Sequence, residues 1–180
     1  MTAVDVLVLH GSPGSGKSTL ARAISEDFRV SGVAHGVIEI DQLNLIDPSP
    51  WPGFAMSNLR AIWPNYTAVP NLKMIIDTVV ADQDHLRRLR EAMPGSRAIV
   101  CELTAPIDVL KARVTAREPN EFWGTRLRDF VDLHHGRTDL ERIRHFLVST
   151  HEKPIAVTAR EVIEKAGWSS PASHATAGRH

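Results

Sequence analysis

Cysteine is nearly absent from this 180-residue chain, Cys101 being the only one. A lone thiol excludes an internal disulfide and any C-x-x-C metal or redox site. An excess of charge is missing too: basic and acidic residues number 21 each. A surface that is wholly a footprint for nucleic acid or anionic membrane carries a basic excess, so neither partner is expected. No apolar run approaches the ~20 residues of a membrane-spanning helix. The first residues lack the basic, apolar and small-residue succession of a secretory signal, so a cytoplasmic protein is expected. None of the nine histidines forms H-x-x-x-H or H-E-x-x-H, which argues against a protein-ligated transition metal. What is present is ordinary globular composition, 43% hydrophobic and 23% charged, in a length that suits one domain. That domain is expected over residues 1–168, monomeric or homodimeric, with a disordered polar tail over 169–180.

Short β-branched and aliphatic runs alternate with four-residue apolar spacings. Val4–Leu9, Val37–Ile40, Leu72–Ile76, Ala98–Cys101 and Phe146–Val148 read as five buried strands,. Leu20, Ile24 and Phe28 share a helical face, and so do Leu86, Leu89 and Met93, and Ile107, Leu110 and Val114,. A helical piece is expected around Met56–Trp63, another from an N-cap at Asp139, and a last one from Ile155 to a stop at Gly167,. This alternation predicts an α/β fold, a parallel sheet with helices on both faces. Ligands of such sheets bind beyond the carboxyl ends of the strands.

The first strand runs into Gly11-Ser12-Pro13-Gly14-Ser15-Gly16-Lys17-Ser18, which meets G-x-x-x-x-G-K-[ST] at every fixed position,. Gly14 and Gly16 let backbone N–H groups turn inward around phosphate oxygens. The helix that begins near Lys17 adds its positive end. The Lys17 ammonium suits the β- and γ-phosphates, the Ser18 hydroxyl suits Mg²⁺, and Thr19 offers a second hydroxyl to the α-phosphate. A nucleoside triphosphate is the expected ligand. Glu39 and Asp41 stand two apart at the end of the second strand, and Asp77 ends the third. A carboxylate beside a phosphate loop either holds Mg²⁺ through water or takes a proton from a substrate hydroxyl. Asp41 is the candidate for the second task, Glu39 and Asp77 for the first.

GSPGSGKST, the EID of Glu39–Asp41 and the LKARVTAR of Leu110–Arg117 together resemble the small P-loop kinases. These include the shikimate and gluconate kinases, the chloramphenicol phosphotransferases and the nucleoside monophosphate kinases. More narrowly, WPNY at Trp63–Tyr66 and AGW at Ala166–Trp168 resemble AAA-type ATP-binding proteins of actinobacteria. The resemblance implies a three-layer P-loop NTPase fold with strand order 2-3-1-4-5 and a lid over about residues 117–137. It also implies ATP with Mg²⁺ as donor and Asp41 as base or anchor for the acceptor hydroxyl. Arg113 and Arg117 match a lid pattern whose arginines contact ATP phosphates. Arg126 is a further lid candidate, and Arg128 another.

The acceptor side, about residues 42–70, departs from the named families and carries no adenylate- or shikimate-type signature. Arg60 is its only basic residue, suited to an anionic acceptor. Trp51, Phe54, Trp63 and Tyr66 are candidates to line a ring-stacking pocket,. The expected function is transfer of the ATP γ-phosphate to a hydroxyl of a small molecule, sugar-like or an antibiotic or other secondary metabolite. A nucleoside or nucleotide kinase and a non-catalytic ATP-binding regulator are the alternatives. Cys101 reads as a small core residue.

Overall fold

A computed structural model describes residues 3–168. The expected tail lies outside the described residues. The chain runs β1 (Val4–His10), α1 (Lys17–Val30), β2 (His35–Glu39) and a 3-10 helix (Ile40–Asn44). It continues with α2 (Phe54–Thr67), β3 (Lys73–Asp77), α3 (Gln83–Ala92) and β4 (Ser96–Thr104). The last elements are α4 (Ile107–Arg117), α5 (Glu121–His135), α6 (Leu140–Ile143), β5 (Phe146–Ser149) and α7 (Ile155–Lys165).

The five strands form one parallel sheet in the order β2-β3-β1-β4-β5. Successive side chains point to opposite faces, so two cores form. Val6 and Val8 of β1 join Met74, Ile76 and Val100 under Leu59 and Trp63 of α2 and Leu86 and Leu89 of α3. Leu7 and Leu9 join Ile75, Cys101 and Val148 under Leu20, Ile24 and Phe28 of α1 and Val162 and Ile163 of α7. Both faces of the sheet are covered, which explains why the strands read as continuous apolar runs. Cys101 is fully buried and burial pushes its thiol up to about 12, so it is an inert core residue. The register aligns Glu39 with Asp77 and Asp77 with Leu9. The polar ends of β2 and β3 therefore stand beside the start of the phosphate loop.

Local signals explain the boundaries. Asp82 caps α3 by accepting the His85 N–H at 2.7 Å. Gly167, at φ 69°, ends α7, with Trp168 N–H donating to Ile163 O and Gly167 N–H to Glu164 O,. Three expectations change. β2 ends at Glu39, so Asp41 sits in the first turn of the 3-10 helix rather than on the strand. The Asp139 carboxylate precedes α6 without capping it, because it accepts two hydrogen bonds from Arg137 instead. α5, which the charge density of Glu118–Arg137 obscured, is a full helix capped by Asn120. It packs on α4 through Leu110, Val114 and Val131.

Candidate functional site

The loop between β1 and α1 is shaped by two close backbone approaches. A Cβ on Gly11 would lie 2.5 Å from Leu103 O, and one on Gly14, at φ 77°, would lie 2.6 Å from Leu110 O. Neither position admits a side chain without moving β4 or α4. Gly11, Ser12 and Ser15 are buried beneath the loop, whereas Pro13, Gly14, Gly16, Lys17, Ser18 and Thr19 line a cavity of about 410 Å³. Lys17 folds back over the loop and donates to Gly11 O at 3.0 Å and Ser12 O at 3.2 Å.

The opposite walls of this cavity carry the strand-end acids and residues of α4 and α5. Glu39, Asp41 and Asp77 line it together with Arg117, Trp123, Arg126 and Phe130. Ser18 Oγ donates to Asp77 Oδ2 at 2.5 Å. Burial raises the Asp77 carboxyl above its ordinary range, and the negative Glu39 and Asp41 add to that, against the pull of Ser18 and Lys17. Burial lowers Lys17, opposed by Asp77 and Asp41. A divalent cation would relieve this crowding of carboxylates. Among the described residues no three His, Cys, Asp or Glu side chains are placed to hold a metal by themselves. The donor set therefore fits Mg²⁺, which keeps water and phosphate oxygens beside one or two protein ligands. Ser18 and Asp77, joined by their hydrogen bond, are the side chains placed to supply such ligands, and Glu39 stands on the same cavity wall.

The arginines separate into two kinds. Arg117 and Arg126 face the cavity. The Arg126 guanidinium lies 4.9 Å from the Phe122 ring centroid and 5.8 Å from that of Trp123, which holds it by cation–π contact,. Arg113 and Arg128 do not line it. Arg113 donates to Gly14 O and to Oγ1 and O of Thr150, while Thr150 Oγ1 donates to Ser15 O. It braces the phosphate loop from behind. Arg128 is tied to Glu121, Thr125 and Thr115 on the surface.

A second cavity, of about 630 Å³, adjoins the first, and Asp41 and Val79 line both. Trp51 and Phe54 form its apolar wall as an edge-to-face pair 4.9 Å apart. The other expected aromatics lie elsewhere. Trp63 is in the core, with Nε1–H donating to Pro94 O at 3.0 Å, and Tyr66 lines a separate hollow beside β2. Arg60 is exposed on α2 and lines neither cavity. Sequence reasoning missed Asn44, Ser49, Thr78, His85 and Arg88 on this wall. His85 lies in the first turn of α3 after the Asp82 cap and Arg88 one turn further on, and only the crossover after β3 brings them to this wall.

Under the loop, His10 is fully buried and its Nδ1 accepts the Val80 N–H at 2.9 Å. Burial, then the neighbouring His134, lowers it to about 3, so it is neutral. Its ring lies 5.1 Å from that of His134.

No curated protein matches this chain. Solved structures do. The gluconokinase of Sinorhizobium meliloti 1021 is 22% identical, with a TM-score of 0.61 over 93% of this chain and 94% of that one. The tunicamycin resistance protein of Deinococcus radiodurans is 17% identical, with a TM-score of 0.67 over 92% and 97%. The APS kinase of Mycobacterium tuberculosis, solved with AMPPNP and APS, is 17% identical, with a TM-score of 0.66 over 93% and 99%. At these identities the likeness is one of fold, and the fold is that of a P-loop NTPase. Residues 7–106, more than half of the chain, match the ATPase family associated with various cellular activities (AAA), and the chain belongs to that family.

Proposed function

We propose that this protein is an ATP-dependent kinase that transfers the γ-phosphoryl group to a hydroxyl of a small molecule. The observation that carries the reading is Asp41, which lines both the phosphate-loop cavity and the larger cavity beside it. An acceptor in the larger cavity has this carboxylate between its hydroxyl and the phosphate loop. The acceptor oxygen attacks the γ-phosphorus and its proton passes to Asp41. A P–O bond forms, the bond from the γ-phosphorus to the β–γ bridging oxygen breaks, and ADP leaves with that electron pair. Lys17 and the loop amides hold the phosphates. Ser18 and Asp77 would hold Mg²⁺, which would neutralise phosphate charge. Arg117 and Arg126 extend from α4 and α5 toward charge that spreads over the transferring group. The α4–α5 pair serves as the lid that excludes water.

The family resemblance supports ATP as donor, and the likeness in fold to a gluconokinase and an APS kinase supports a small acceptor. The test is ADP formation over a panel of hydroxylated small molecules, with Lys17→Ala as the inactive control. Asp41→Asn is expected to keep nucleotide affinity within about threefold and to lose a factor of ~10²–10⁴ in transfer, the usual share of a general base. A fully active Asp41→Asn enzyme would overturn the assignment.

A further inference from the structure

We infer that the acceptor is an uncharged polyhydroxylated molecule bearing an aromatic ring. This deepens the kinase reading and rests on it. The argument is one of charge and surface in the cavity of about 630 Å³. Among the described residues that line it, Arg88 is the only cationic side chain, and that guanidinium is paired with Asp84. Its anionic side chain is Asp41, which a carboxylate or phosphate on the acceptor would meet as like charge. Arg60, the other basic residue suited to an anionic acceptor, stands exposed outside it. Burial lowers His85, and its Nδ1 accepts the Ala81 N–H, which leaves a neutral ring with Nε2–H as donor. Among the described residues that line this cavity an anion thus meets no unpaired cation, and desolvating it without one is costly,.

The remaining lining is of two kinds. Asn44, Ser49, Thr78 and His85 are neutral hydrogen-bonding groups, which match hydroxyls,. Trp51, Phe54, Pro52 and Met56 present an apolar wall on which a flat ring stacks,. The volume is that of pockets for drug-sized ligands rather than for a bare triol. One molecule that satisfies both walls carries a ring at one end and several hydroxyls toward Asp41.

Three matched probes test this: phenyl β-D-glucopyranoside, phenyl β-D-glucuronide and methyl β-D-glucopyranoside. The second replaces a CH₂OH by a carboxylate, and the third removes the ring. Binding to the full chain with ADP and Mg²⁺ present is read by calorimetry and by Trp fluorescence. The phenyl glucoside is expected to bind about tenfold more tightly than either other probe, as one lost ring contact or one unpaired charge implies. Trp51→Ala is expected to erase the advantage over the methyl glucoside, while leaving nucleotide affinity unchanged. Equal or tighter binding of the glucuronide, no loss on removing the ring, or no binding by any probe at about 10 millimolar overturns the inference. ADP formation is measured in parallel. Preferred binding of the phenyl glucoside without turnover of any acceptor sinks the kinase reading alone, and turnover of anionic acceptors alone sinks this one.

Discussion

The two cavities that meet at Asp41 are built in opposite ways. The phosphate cavity is made by backbone. Its shape depends on Gly11 and Gly14 pressed against Leu103 O and Leu110 O, and on strand ends whose register is fixed by a sheet buried on both faces. The adjoining cavity, which we assign to the acceptor, is made by side chains at the ends of three helices and along the excursion between the 3-10 helix and α2. Leu45, Ile46 and Trp51 stand exposed there. A phosphate is the same in every substrate, so the group that holds it can be rigid. The acceptor is what differs among enzymes of one fold, and its contacts sit where substitution leaves the sheet untouched.

The sharpest test of that contrast uses two tryptophans a dozen positions apart. Trp63 is 1% exposed and Trp51 is 52% exposed. Trp63→Ala is expected to cost about 3–5 kcal/mol, chiefly from the lost core volume,. Trp51→Ala is expected to change stability by no more than about 0.5 kcal/mol, as exposed substitutions do. Urea unfolding of both variants decides it. Comparable losses would mean that the aromatic excursion is part of the core and the contrast is false. A smaller effect probes the other cavity. Gly14→Ala is expected to cost about 2 kcal/mol, because φ 77° and the Leu110 carbonyl both oppose a Cβ,. Unlike Trp51→Ala, it also weakens ATP binding, which a fluorescent nucleotide titration reads. A variant with full affinity would show that the loop does not need its present shape.

The same contrast explains what could be read in advance. The phosphate loop was legible because its chemistry is written in contiguous residues of fixed spacing, and the strand-end rule then reached Asp77. The five strands were legible because burial on both faces leaves unbroken apolar runs. The acceptor wall was not. Trp51, Phe54, Trp63 and Tyr66 look alike in a Pro-rich segment, but Trp63 faces the core from α2 and Tyr66 faces a different hollow. Helical phase decides this, and Pro64 concealed that α2 runs on to Thr67. Arg113 matched a phosphate-contacting pattern, yet its partners Gly14 and Thr150 come from two distant loops. His85 and Arg88 reach the cavity only through the crossover that follows β3, a placement no local spacing encodes.

The buried imidazole beneath the phosphate loop makes the last prediction, and it isolates the rigid side of the comparison. His10 is held neutral to about 3, against 6.5 for a free imidazole. Between these values the unfolded chain binds a proton that the folded chain does not, so stability rises with pH through the window and falls as pH drops below about 6.5. Near pH 5.5 the loss from one such group is about 1.4 kcal/mol. His85 and His145, also lowered by burial, add in the same direction, so the informative quantity is the difference between the protein and His10→Asn. The asparagine oxygen can accept the Val80 N–H in place of Nδ1,. The variant is less stable at pH 7.5 because it leaves space in a packed site. That deficit should shrink as pH falls to 5, since the variant no longer has this imidazole to keep neutral. Urea unfolding at each pH measures it. A deficit constant across the range would mean that His10 takes up its proton in the folded state as readily as in the unfolded one, and that the floor of the phosphate cavity is open to water.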